Sequence, residues 1–109
     1  MGTQVISVWQ GDFGYSLIFN LQDIQGNVFS LVGATSVLFR AQLIGTAKTI
    51  VNGTMAVTNA AGGVCSYTVA AGDFALAGEY AVQIQVNFST TETITFGNLQ
   101  VTANPKIPY

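Results

Sequence analysis

From residue 80 to residue 88 the polarity of this chain changes at every position. Tyr80, Val82, Ile84, Val86 and Phe88 share one parity, and Ala81, Gln83, Gln85 and Asn87 the other. Successive strand side chains point to opposite faces, so the segment predicts a half-buried antiparallel β-strand with its even-numbered side in a core. A helix, at about 3.6 residues per turn, would scatter those apolar groups around its circumference. The preceding turn carries Ala77 and Gly78, and Gly78 allows a tight approach to the strand.

The same sorting recurs along the chain. Residues 4–9 are rich in β-formers and predict a first strand at a sheet edge, broken by Gly11 and Asp12. In residues 14–22, Tyr15, Leu17, Phe19 and Leu21 are expected inward, and Ser16, Ile18, Asn20 and Gln22 outward. Asp23, Gly26 and Asn27 supply turn chemistry, and residues 28–31 predict a short strand. In residues 34–43, Val37, Phe39, Ala41 and Leu43 oppose Ser36, Arg40 and Gln42. Leu38 interrupts the polar side, either as an isolated exposed apolar residue or as part of a contact surface. Asn52-Gly53 reads as a two-residue type I′ hairpin turn between strands at 48–51 and 54–57, because both residues tolerate left-handed backbone.

Residues 59–63 predict the next turn, residues 64–69 the next strand, and residues 89–92 another reversal. In the last strand Ile94 and Phe96 share one parity while Leu99 and Val101 share the other, so a β-bulge is expected at Gly97-Asn98. Pro105 and Pro108 exclude residues 104–109 from a central strand and mark them as a tail or the start of a linker. Short strands with turn signals between them predict an all-β chain, an antiparallel sandwich of seven to eight strands over residues 1–103, with a small barrel as the alternative.

Chemistry is constrained mostly by what is missing. The chain has no His, which excludes Ser-His-Asp and Cys-His pairs and an imidazole zinc site within it. Its single cysteine, Cys65, excludes an internal disulfide framework and reads as a small buried apolar residue. The carboxylates Asp12, Asp23 and Asp73 sit in turns, and no pairing of Asp73 with Glu79 is supported by their spacing. No catalytic residue, cofactor or metal site is therefore expected. Three cations, Arg40, Lys48 and Lys106, make no basic patch, so nucleic acid is not an expected partner. No apolar run reaches the ~18 residues of a spanning helix, and the girdled strands of a membrane barrel are not apparent, so membrane insertion is not expected. Residues 1–10 lack the basic start and apolar run of a secretion signal.

Only 7% of residues are charged and the net charge is −2, so copies of the chain repel each other weakly and the surface must be largely neutral. Association or oligomerisation fits that surface, and so does a soluble β-protein with a neutral polar coat. Most aromatics fall on the inward parity and read as core. Trp9 and Phe13, which flank a turn, are the exceptions.

Residues 58–80, from Thr58-Asn59-Ala60-Ala61-Gly62-Gly63 through Gly72-Asp73-Phe74 to Ala77-Gly78-Glu79-Tyr80, resemble the immunoglobulin-like domain at the N-terminus of phage baseplate upper proteins and related tail-fibre proteins. Residues 15–23 with Gly26-Asn27, and then 31–37, are similar to the opening strands of that family, and the likeness spans residues 10–102. Tyr80, two positions after Gly78, resembles the tyrosine corner of immunoglobulin-like sandwiches, whose hydroxyl ties back to upstream backbone. The chain departs from antibody domains in having no paired cysteine. The resemblance implies an immunoglobulin-like sandwich and a non-enzymatic virion structural module, located in the virion at tail or baseplate. Its implied partners are other virion proteins or copies of itself, with Trp9, Ile18 and Leu38 as candidate contact residues. An adhesion module for host-surface carbohydrate or protein is the alternative, and it requires an exposed aromatic platform in the loops.

Overall fold

The computed structural model describes residues 4–23, 25–45, 51–89 and 92–105. They form β1 (Gln4–Trp9), β2 (Ser16–Asn20), β3 (Ser36–Leu43), β4 (Val51–Thr54), β5 (Ala56–Asn59), β6 (Val64–Thr68), β7 (Gly78–Ser89) and β8 (Glu92–Asn104). No helix occurs among the described residues. One sheet has the order β1-β8-β7-β3-β4 and the other β2-β6-β5, and together they make a β-sandwich. Every pairing is antiparallel except that of β1 with β8.

The core is the sum of the inward parities. Leu17, Phe19, Cys65 and Tyr67 from one sheet, with Val69 just after β6, meet Val37, Phe39, Ala41, Tyr80, Val82, Ile84, Val86 and Val101 from the other, all buried. Aromatic contacts join the layers. Phe39 stacks on Tyr67 at a ring-centroid distance of 4.4 Å and an interplanar angle of 5°, and meets Phe19 at 5.9 Å. Such pairs stabilise by about 0.5–1.5 kcal/mol beyond the area they bury. No polar or charged residue is buried among the described residues, so the sandwich interior rests on apolar packing and backbone pairing.

The bulge expected at Gly97-Asn98 is present. Val82 pairs with Leu99 and Ile84 with Phe96, so two residues of β8 oppose one of β7. The extra residue restores the apolar parity, and Phe96 and Val101 are both buried although their numbers differ in parity.

Two local expectations are overturned. Residues 28–31 form no strand. Only an isolated bridge joins Gln22 to Val28, while the Phe29 and Leu31 N–H groups donate to the C=O groups of Leu21 and Ala60. These residues still pack against the core, with Leu31 buried and Phe29 edge-on to Phe96 at 4.9 Å. Gly63 admits this close approach, because a Cβ there would lie 2.5 Å from the Phe29 C=O oxygen and its φ is +68°.

Asn52-Gly53 is not a hairpin turn. Both residues lie inside β4, where Asn52 pairs with Arg40 and Gly53 with Phe39. Gly53 is not among the glycines with positive φ. It faces the core, and a Cβ on it would stand 2.5 Å from a ring carbon of Tyr67. The glycine supplies space where an aromatic ring crosses, not a left-handed turn. The chain then passes from one sheet to the other at Met55, whose N–H donates to the Val37 C=O at 2.8 Å. The expected partner strand at 48–51 falls mostly outside the described residues, as does the tail at 106–109. The expected reversal at 89–92 is described only at its ends, where Ser89 pairs with Glu92, and Asn104 still belongs to β8.

Candidate interaction surfaces

In the loop between β6 and β7 one carboxylate ties a buried phenol to the backbone. Asp73 accepts the Tyr67 hydroxyl at 2.5 Å and the Ala70 N–H at 2.9 Å through the same carboxylate oxygen, Oδ2. Burial pushes the Tyr67 phenol well above its ordinary range, and the bond to Asp73 and that carboxylate's charge act in the same sense. Phe74 follows with φ +50° and a fully buried ring edge-on to Tyr80 at 4.9 Å. The Tyr80 hydroxyl donates to the Leu76 C=O at 2.7 Å. Gly78, with φ +143°, makes the bend into β7. These groups fix the loop and the β7 entrance. Parity placed Tyr67 inward but did not indicate its partner. The available clue was that a buried phenol needs a hydrogen bond and Asp73 lies six residues on.

Cys65 is fully buried, and burial pushes its thiol up to about 11, which makes it inert. Among the described residues no group of three or more His, Cys, Asp or Glu side chains is placed to hold a metal ion.

The three candidate contact residues are not brought together. Ile18 is exposed on the outer face of β2, between buried Leu17 and Phe19. Leu38 lies on the outer face of the five-stranded sheet and is half-buried between Thr54 and Gln85 on the neighbouring strands. Trp9 ends β1 and is 54% exposed. Ile18 and Leu38 thus point to opposite sides of the sandwich.

The two outer faces differ in character. β2, β5 and β6 contain no charged residue, and their outward side chains include Ser16, Ile18, Asn20, Ser66, Thr68 and Ala56. The five-stranded sheet exposes Arg40 and Glu79 amid Gln83, Gln100, Thr93 and Thr95, with a shallow hollow where small Ala81 lies among Arg40, Gln42 and Gln83. A second hollow, at the end of β1, is lined by Ser7, Val8, Trp9, Asp12 and Tyr15. The Tyr15 hydroxyl is buried without a hydrogen-bond partner. Burial raises its pKa, and the negative charges of Asp12 and Asp73 raise it further. Phe13, beside this hollow in sequence, is 62% exposed, so both aromatics left open by parity lie at the surface.

No protein-family model matches the chain, and comparison with curated proteins gives no match either.

Proposed function

We infer that the chain is a non-enzymatic structural module of a bacteriophage virion, at tail or baseplate, which assembles with other virion proteins through neutral surfaces. The observation that carries this reading is the uncharged outer face of β2, β6 and β5. Such a face is covered without desolvating charge, so association draws on apolar contact and hydrogen bonds. An immunoglobulin-like sandwich is the finer reading of the fold. It is supported by the strand orders 1-8-7-3-4 and 2-6-5 and the parallel pairing of the first and last strands. The Tyr80 hydroxyl bonded four residues upstream is the corresponding tyrosine corner. The resemblance of residues 58–80 to the phage baseplate domain supplies the virion context.

The test is the composition of purified virions. The chain is expected in the tail fraction and is expected to stay attached when salt is raised to about 1 M, where the Debye length is about 3 Å and exposed charge pairs are screened. Absence from particles overturns the reading, and release at moderate salt overturns its mechanism.

A second reading, an adhesion module for host-surface carbohydrate or protein, is favoured by the exposed Trp9 and Phe13 at one end of the sandwich. Aromatic faces of this kind stack on sugar rings. A glycan array decides it, with binding expected to be lost in Trp9→Ala.

A further inference from the structure

The outer face of the five-stranded sheet carries one cation among the described residues, and no described group answers its charge. Arg40 is exposed on β3, where its cross-strand neighbours are Asn52 of β4 and Gln83 of β7, both neutral. The chain has five side-chain carboxylates, and among the described residues none is paired with the guanidinium. Asp12 and Asp73 lie near Tyr15 in the loops, Asp23 accepts the Gln25 and Asn27 N–H groups, and Glu92 stands opposite Ser89. Glu79 shares the face of Arg40 but stands opposite Thr102, outside the hollow that Arg40 lines. Cross-strand pairs of opposite charge stabilise a sheet, and Arg40 has none.

The guanidinium borders a hollow of about 250 Å³ lined by Arg40, Ala41, Gln42, Ala81 and Gln83. Strand register accounts for it. Gln42 pairs with Ala81 and Arg40 with Gln83, so on the outer face the short Ala81 methyl lies among three long side chains. Gln42 and Gln83 each end in a carboxamide, with an acceptor oxygen and two N–H donors. A hydroxyl both donates and accepts, so carboxamides match a polyhydroxylated ligand, while the planar guanidinium fork matches a carboxylate. The volume falls below the ~300–1,000 Å³ of drug-sized pockets, which suits a single ring.

We propose that this hollow binds a saccharide ring that bears a carboxylate. The Arg40 N–H groups donate to the carboxylate as a fork, Gln42 and Gln83 bond ring hydroxyls, and Ala81 lies beneath the ring. Charge complementarity selects this occupant, because a neutral sugar leaves the guanidinium unanswered. An acidic side chain of a protein would engage Arg40 without filling the hollow. The proposal deepens the adhesion reading and rests on it only in taking a saccharide as the ligand. Its site is on β3 and β7, which β8 separates from Trp9 on β1.

Titration of the full chain with glucuronic acid, followed by amide-resolved NMR, tests it, with glucose as the neutral control. Saturating shifts are expected at the backbone amides of residues 40–42 and 81–83. The Kd is expected in the millimolar range and at least about tenfold below that for glucose. Arg40→Gln is expected to weaken glucuronic acid to the level of glucose. Ala81→Val fills the hollow and leaves Arg40 in place, and it is expected to lose binding with an unchanged melting temperature. No saturation by about 100 mM overturns the proposal. So does an Ala81→Val variant that binds as well as the wild type, since charge attraction alone would then explain the effect. Where that variant fails to fold, Arg40→Gln decides, and an unchanged affinity overturns the proposal. A glutamate-containing peptide that binds more tightly than glucuronic acid also overturns it and gives the surface to a protein partner. A chain that ignores glucuronic acid but binds an array glycan through Trp9 would end this proposal and leave the adhesion reading standing.

Discussion

Gly53→Ala sets two physical effects against each other. Alanine loses less backbone entropy than glycine in a strand, which favours the variant by about 0.5–1 kcal/mol. Against this, the new methyl would stand 2.5 Å from the Tyr67 ring. That ring cannot easily withdraw, because it is stacked on Phe39 at 4.4 Å and its hydroxyl is held by Asp73. Overpacking of this kind costs about 1–3 kcal/mol. The balance is a net loss of up to about 2.5 kcal/mol, and at ~100 residues each kcal/mol lowers the melting temperature by about 4–8 °C. A hairpin turn at Asn52-Gly53 would also make alanine destabilising, through positive φ, so the single variant does not separate the two accounts. The double-mutant cycle with Tyr67→Leu does. Once the ring is gone the methyl has room, and Gly53→Ala becomes neutral or stabilising, giving a coupling of about 1–3 kcal/mol. Urea unfolding followed by far-UV circular dichroism measures all four proteins. Additivity within about 0.5 kcal/mol would refute the steric role assigned to Gly53.

Tyr80→Phe removes the hydroxyl that donates to the Leu76 C=O and is expected to cost about 0.5–1.5 kcal/mol, read as a lower urea midpoint with unchanged slope. Alkaline stability follows from Tyr67, whose folded-state pKa lies above the ordinary 10.0. Its contribution is fully present below about pH 10 and is lost as pH rises through the folded-state value. The drop in urea midpoint between pH 8 and pH 11 is therefore expected to be smaller in Tyr67→Phe than in the wild type. Cys65 adds to the wild-type drop, because its thiol moves from 9.0 to about 11. It is expected to react with a thiol reagent at pH 8 only as fast as the chain unfolds.

Most of the strands were legible because a half-buried strand writes its two faces as alternate letters. Strands β2, β3, β6, β7 and β8, and the bulge at Gly97-Asn98, follow from that rule, while β1 follows from its richness in β-forming residues. The exposure of Ile18 follows from it too. The misreadings came where one residue type serves two purposes. Glycine permits positive φ and also permits close approach, and at Gly53 only the ring arriving from the opposite sheet decides between them. Residues 28–31 carry β-forming side chains, but their backbone partners are loop atoms of Leu21 and Ala60, a pairing without local periodicity. Leu38 was legible as a break in a polar face, but its half-burial depends on Thr54 and Gln85 of the adjoining strands.

Alternation, glycine placement and scarcity of charge thus determined by themselves that the chain forms pleated layers with a neutral exterior, because those properties reside in neighbouring residues. Tertiary structure decided which strand lies beside which, that β1 runs parallel to β8, and where Tyr67 finds Asp73. Each of these depends on groups far apart in the chain, whose meeting is set by packing of the two sheets and not by local preference.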